Sequence, residues 1–293
     1  MPNTLYLVAT PIGNLEDITL RALRVLREAR LIAAEDTRHT RTLLDHYQIT
    51  TRCISYHEHN KLARLDEILT ALANGDVALV SDAGTPALAD PGFELVVACI
   101  AAGFPVAPVP GPSAPVAALV ASGLPTTRFA YVGFLPRRSV ERRALFGDLA
   151  ALSLTLVCFE APHRLCETLD DMLAVLGDRR IVVAKDLTKR FEALRRGNVS
   201  QMIAHFSSER PRGEYTLVIE GRQSSDEHKR DRDRILLPEA GRAPPSETEL
   251  AERLRALRAQ GHHGSAAARI VAHELGLPKR AVYQVWLKLD EVT

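Results

Sequence analysis

Four apolar runs, each followed at once by a loop of Gly, Pro, Ser, Thr and Asp, set the strongest limit on what this chain can fold into. LYLVA (5–9) leads into TPIGN (10–14), and LIAAE (31–35) into AEDTRHT (34–40). VALVS (77–81) leads into SDAGTPALADPG (81–92), and FPVAPVP (104–110) into PGPSA (110–114). Runs that are apolar at successive positions, not alternate ones, fit strands buried on both faces of a parallel sheet. RCISYH (52–57) reads as one more strand. Between the strands, ITLRALRVLREA (18–29), LARLDEILTALANG (62–75), FELVVACIAA (93–102) and SAPVAALVASG (113–123) read as helices. Strand and helix in alternation specify an α/β domain over residues 1–122.

GLPTTRF (123–129) reads as a linker into a second α/β domain, 123–221. Its strands are FAYVGFL (129–135), LTLVCFE (154–160), RIVVAK (180–185) and EYTLVIEG (214–221), with helices over 139–151, 163–176 and 198–207. The polar run RQSSDEHKRDRDR opens a charged linker, 222–245, that lacks apolar periodicity. A small helical domain, 246–293, follows. SETELAERLRALRAQG opens with a Ser-x-x-Glu capping box, and a tight Gly-Leu-Pro turn joins two further helices in helix-turn-helix style.

The bulk numbers exclude several classes. A chain of 293 residues is long enough for about two domains of ~100–200 residues each. A net charge of +1 gives no global field, so a nucleic acid or membrane must be met by a local patch. The four cysteines are scattered without a C-x-x-C, and Cys99 and Cys158 sit in apolar runs; this predicts buried, reduced thiols in a cytoplasmic protein. Neither a signal peptide nor a membrane span is expected.

In an open parallel sheet, ligands sit outside the carboxyl ends of the strands, where all four loops would lie. Gly84, Gly92 and Gly111 would permit close backbone approach. Asp82 and Asp90 would accept hydrogen bonds from ribose hydroxyls or an amine, and Ser113 would open a helix N-terminus to a carboxylate. Asp90 is expected to N-cap the following helix, with Pro91 at its first position. The phosphate loop G-x-x-x-x-G-K-[ST] is missing and TPIGN offers one Gly where G-x-G-x-x-G needs three, which argues against an ATPase or a nicotinamide enzyme.

VATPIGNLEDITLRAL, AEDTRHT, SDAGTPALADPG, PGPSA, GFLPRR, FEAPHRL, DLTKRFE and GEYTLVIEG occur in the order and at the spacing of the tetrapyrrole methylase superfamily, which residues 4–221 resemble. TPIGN and AEDTRHT are similar to the branch that acts on ribosomal RNA. The resemblance implies two α/β domains with S-adenosylmethionine in the cleft between them, a small C-terminal helical domain, a homodimer and no metal. The implied activity is 2′-O-methylation of a cytidine of 16S rRNA at the decoding centre, within the small ribosomal subunit. It assigns Pro11, Ile12, Asp82, Gly84, Thr85, Ser113, Ala114, Leu135 and Phe159 to the cofactor.

A ribose hydroxyl is a weak nucleophile, so a base or a cation beside it is expected. The candidates are Asp36, Arg38, Glu160, Lys185 and Lys189, with Glu58, His163 and Glu192 behind them. Glu160 has a second reading as a partner of Arg164, and Asp36 with Arg38 as an ion pair. RNA contact is expected from Arg137, Arg138, Arg142 and Arg143 of PRRSVERR, from the basic run KDLTKRFEALRR (185–196), and from Lys279 and Arg280. Tyr283 and Trp286, at helical spacing, read as core. The rival readings are a tetrapyrrole methyltransferase of the same fold and a DNA-binding regulator with an α/β ligand sensor.

Overall fold

The computed structural model describes residues 3–222, 247–260, 262–275, 277 and 279–290. They fall in two compact units, 1–222 and 223–293. The first contains two five-stranded sheets.

The first sheet is wholly parallel, in the order β3-β2-β4-β1-β5, from β1 (Leu5–Val8), β2 (Leu31–Ala34), β3 (Cys53–Ser55), β4 (Val77–Val80) and β5 (Val106–Val109). β2 and β4 are buried at every residue, which is why they read as unbroken apolar runs. Helices α1 (Leu20–Glu28) and α2 (Thr37–His46) cover one face through Leu23, Leu26, Leu43 and Leu44. Helices α3 (Leu65–Leu72) and α4 (Phe93–Ala101) cover the other through Ile68, Leu72, Leu95 and Cys99. The helices after β1 and β4 thus leave to opposite faces, and the crevice between these neighbouring strand ends is a topological switch point.

The second sheet departs from the simple alternation expected of it. It contains β6 (Phe129–Phe134), β7 (Thr155–Glu160), β8 (Arg180–Lys185), β9 (Ala193–Asn198) and β10 (Tyr215–Ile219), in the order β6-β7-β10-β8-β9. Only β6 and β7 run parallel. Helices α6 (Ser139–Leu149), α7 (Leu165–Leu176) and α8 (Val199–Ser208) pack on one face. The other face is covered by α5 (Ala114–Ser122), whose Ala118 and Leu119 join Ile12, Leu124, Val157, Val182, Ala184 and Val218 in one apolar seam.

Three local expectations are corrected. α2 begins inside AEDTRHT, with Asp36 as its N-cap accepting from Arg38 N; the run reads as a loop because no apolar residue appears in its first turn. ALRRGN, to which no element was assigned and whose ALRR closes the basic run 185–196, is the edge strand β9. The N-cap of α4 is Gly92 at φ 151°, not Asp90. A Cβ on Gly92 would stand 2.9 Å from both Ala87 Cβ and Leu79 Cδ2, so only glycine fits that entry.

The second unit has α9 (Glu247–Ala259), α10 (Gly264–Leu275) and α11 (Lys279–Asp290), packed around Leu254, Ala267, Ala268, Val271, Val282 and Trp286. Trp286 is core, as expected, while Tyr283 is exposed. Residues 223–245 of the expected linker and the cap Ser246 lie outside the described residues. Among the described residues no helix is long and apolar enough to cross a membrane. Cys99 and Cys158 are buried thiols; burial pushes Cys99 up to about 11 and Cys158 further.

Candidate active site

The four loops meet at one edge of the first sheet, stitched by hydrogen bonds from their own backbones. Thr10 N donates to Gly84 O at 2.9 Å and Gly84 N to Thr10 O at 3.0 Å. Thr10 Oγ1 donates to Ser81 O at 3.1 Å, and Thr85 Oγ1 to Pro112 O at 3.3 Å. Gly84 sits at φ 84°, a conformation that favours glycine. Asp36 N donates to Asp82 Oδ1 at 3.0 Å, while Asp82 N donates to Glu35 Oε2 at 3.3 Å. Asp82 therefore ties the second loop to the third and leaves its other oxygen for a ligand. Ser113 is the N-cap of α5 and makes no side-chain cap bond. Pro11 and Ile12 are buried, Ile12 in the seam, and Ala114 packs against that seam.

At this edge Glu35, which the sequence reading passed over, joins the two aspartates of the third loop. Burial raises the pKa of Glu35, and the charge of Asp82 adds to it against the Asp82 N–H. Asp90 is pushed up to about 7, first by burial, then by the charge of Glu35, with Asp82 adding and Ser81 opposing. The backbone around it is strained: Ala87 and Ala89 both have positive φ, 64° and 69°. The signal for Glu35 was its place at the end of a buried strand; Asp90 was expected as a ligand acceptor and as a helix cap, and the cap is Gly92 instead.

From the second sheet, alternation decides which side chains reach the seam. Val157 of β7 faces it, so Phe159 does too; Leu156 and Cys158 face the α6–α8 layer, so Glu160 does too. Phe159 lies edge-on to Tyr131 at 5.6 Å between centroids and tilted on Phe134 at 5.2 Å, an aromatic wall of which only Phe159 was expected.

Alternation, burial and ion pairing correct several catalytic and ligand assignments. Glu160 is 2% exposed and is held by Arg164, Thr168 Oγ1 and Ala161 N, so its pairing reading stands. Lys185 shares the face of Val183, beside Arg195, Phe206, Glu209 and Tyr215, on the layer side. Leu135 is buried in that layer, and its carbonyl accepts from Arg164. Lys189 bonds Glu214 Oε2 at 2.9 Å with Asp186 at 3.5 Å. Burial opposes its charge, but these carboxylates prevail and raise its pKa, so it is a cation and not a base. Its stem lies against the first loop: a Cβ on Gly13 would fall 2.5 Å from Lys189 Cγ. Asp36 binds Arg38 at 2.8 and 3.1 Å, which holds its carboxyl well below the usual range; Arg38 itself is exposed at the rim. Glu58 pairs with Lys61, and Glu192 accepts from Thr188 N.

Of the expected RNA contacts, Arg137, Arg138 and Arg143 are exposed. Arg142 is not: it is 0% exposed, donates from Nε to Asp171 Oδ2 at 2.8 Å and from Nη1 to Pro136 O at 3.3 Å, and locks the start of α6 onto α7. The side chains of Lys279 and Arg280 lie outside the described residues. Among the described residues, no three His, Cys, Asp or Glu side chains are grouped to hold a metal.

The chain belongs to the tetrapyrrole (corrin/porphyrin) methylase family, whose profile matches residues 4–203. Within that family it belongs with the ribosomal RNA small subunit methyltransferases I. It is 47% identical over 288 residues to the protein of that name from Synechocystis, covering 98% of each chain. The namesake from Halalkalibacterium halodurans is 44% identical, covering 97% of this chain and 94% of the relative. Residues 244–290 match the RsmI C-terminal HTH domain. Among solved structures, the fold is similar to uroporphyrin-III-C-methyltransferase from Thermus thermophilus, with a TM-score of 0.53 at 24% identity over 74% of this chain and 94% of that one. It is also similar to a cobalt precorrin-4 methyltransferase, with a TM-score of 0.57 at 18% identity over 74% and 94%.

The chain is accordingly a methyltransferase whose cofactor is S-adenosylmethionine. The loop cluster fits that molecule: buried Ser81 Oγ and Tyr131 OH have no protein hydrogen-bond partner, and carboxylates gather where a cationic ligand would be favoured. When bound, the cofactor supplies a methyl group already activated by a positive sulfur.

Proposed function

We propose that this enzyme methylates the ribose 2′-hydroxyl of a cytidine in 16S rRNA, at the decoding centre of the small subunit, in the cytoplasm. The observation that carries the reading is the near full-length similarity to the ribosomal RNA small subunit methyltransferase I of Synechocystis. The exposed arginines 137, 138 and 143, which follow directly on the aromatic wall of β6, support it. In this reading Asp82, Gly84, Thr85, Ser113 and Ala114 hold the cofactor with Pro11, Ile12 and Phe159 beside them, and residues 1–122 and 123–221 form its two walls. Alignment of donor and acceptor is worth up to about 7–11 kcal/mol of the barrier.

The test is transfer of labelled methyl to 30S subunits and to naked rRNA, followed by nucleoside analysis. Labelled 2′-O-methylcytidine is the expected product. A base-methylated nucleoside overturns the reading, and label transfer that survives RNase on a small tetrapyrrole replaces it.

A second copy of the chain is the partner we assign. α4 exposes Phe93, Val97 and Ile100 at spacings of four and three, and α5 exposes Val116 and Val120. Such apolar stripes fit a homodimer interface, which needs apolar area at its core. Phe93→Asp is expected to shift the protein from dimer to monomer in light scattering; a monomeric parent protein would overturn the assignment.

A further inference from the structure

The turn between β8 and β9 carries an exposed aromatic side chain. Phe191 is 72% exposed, and the guanidinium carbon of Arg190 lies over its ring, 5.4 Å from the centroid. A single exposed apolar residue needs no explanation, but this one stands on a turn built to be stiff. Asp186 and Thr188 hold left-handed backbone, at φ 49° and 64°, without being glycine. Such strain persists only where the surroundings impose it, and it collects where a ligand is handled. Thr188 N donates to Glu192 Oε2 at 2.6 Å, Glu214 N donates to Asp186 Oδ1 at 3.2 Å, and Lys189 Nζ pairs with Glu214. These carboxylates are thus engaged within the fold, while Arg190 is turned to solvent. The turn is also docked on the first loop. A Cβ on Gly13 would stand 2.5 Å from Lys189 Cγ, 2.8 Å from Thr188 Oγ1 and 2.9 Å from Leu187 O, so loop and turn touch with no room for a side chain. Thr10 of the same loop bonds Gly84. The chain from Thr10 to Gly13 and from Lys189 to Phe191 spans at most about 18 Å, so the ring stands close to the loop cluster. Beside the contact runs a groove of about 510 Å³, with Asn14, Glu16, His46, Lys189 and Arg190 on its walls.

We propose that Phe191, with the Arg190 guanidinium over its ring, is a stacking platform for an unpaired base of the RNA substrate, a neighbour of the nucleotide that receives the methyl group. The inference rests on the rRNA reading above. Every base has a flat face that stacks on an aromatic ring, and an arginine beside the ring adds a second flat surface and a charge for phosphate. In a duplex those faces are already stacked, so the platform takes single-stranded RNA. The braced turn holds the ring in place before the RNA arrives, which lowers the cost of ordering it on binding. A second copy of this chain fits the ring poorly. Phe191 stands among Lys189, Arg190 and Glu192, whereas the centre of an interface between copies is depleted of charge.

The test is filter binding of the full chain to 30S subunits and to naked 16S rRNA at several salt concentrations, with Phe191→Leu, Phe191→Trp and Arg190→Gln beside the wild type. Phe191→Leu keeps an apolar side chain but loses the flat ring, and its affinity should fall about 10-fold or more. The fall should be equal at every salt concentration, because stacking releases no counterion. Phe191→Trp should bind at least as tightly as wild type. Arg190→Gln should reduce the salt dependence by about one ion. Melting temperature and calorimetric affinity for S-adenosylhomocysteine should be unchanged in Phe191→Leu, which separates a lost RNA contact from a disturbed fold or cofactor site. Wild-type RNA affinity in Phe191→Leu overturns the proposal, as does a loss that Phe191→Trp fails to restore. A shift of Phe191→Leu from dimer to monomer in light scattering also overturns it, and assigns the ring to an interface between copies. If the wild type transfers labelled methyl to neither RNA, the rRNA reading itself has failed; if it does and Phe191→Leu binds as wild type, only the platform has.

Discussion

Replacement of Asp82 by alanine is expected to lower affinity for S-adenosylmethionine by about 10²-fold or more, since two hydrogen bonds to a charged group are lost at about 1.5–3 kcal/mol each. One is the 3.0 Å bond from Asp36 N, which anchors the second loop to the third. The other is the bond its free oxygen offers a ligand. Asp82→Asn separates them: the amide oxygen still accepts from Asp36 N, so the loops stay tied, while the charge is gone. Calorimetry with S-adenosylhomocysteine reads both variants. Alanine should bind far more weakly than asparagine; an unchanged affinity in Asp82→Ala would remove Asp82 from the cofactor site.

Arg142→Ala is expected to cost about 3–5 kcal/mol of stability, the usual penalty for breaking a buried ion pair from one side. Asp171 would be left buried with its charge met only by Ser139 Oγ at 2.8 Å and by Arg143 Nε, 3.9 Å away. Arg143→Ala, one residue along and exposed, should change stability by less than about 0.5 kcal/mol. It should instead weaken RNA binding and reduce the salt dependence of that binding by about one ion. Thermal melts and filter binding at several salt concentrations check the pair. Equal melting temperatures for the two variants would contradict the buried role of Arg142.

The difference between these neighbours shows where the sequence was legible and where it was not. Arg142 and Arg143 are the same residue type in one basic run, and only the turn of α6 onto α7 sends the first inward. The first sheet was readable because β2 and β4 are buried on both sides and leave unbroken apolar runs. The same property hid the direction of Glu160 and Lys185. When both faces of a strand are apolar, period-two alternation leaves no trace in composition, and the side to which a terminal charge points is set by packing partners. β9 was missed because an edge strand with polar residues on both faces lacks the pattern altogether. The loops were legible as a cluster, since strand ends must share one edge; that the charge of Glu35 is felt by Asp90 depends on distances no spacing encodes.

The α5 helix belongs to the first sheet by connection and to the second by contact, its Ala118 and Leu119 lying among Val157, Val182 and Val218. It acts as a weld between the two walls. Parting them would expose that apolar seam to water, at about 25 cal/mol for each Å² uncovered. The cleft between the walls is therefore expected to be formed before a ligand arrives, its width set by the packing of α5 and not by the ligand.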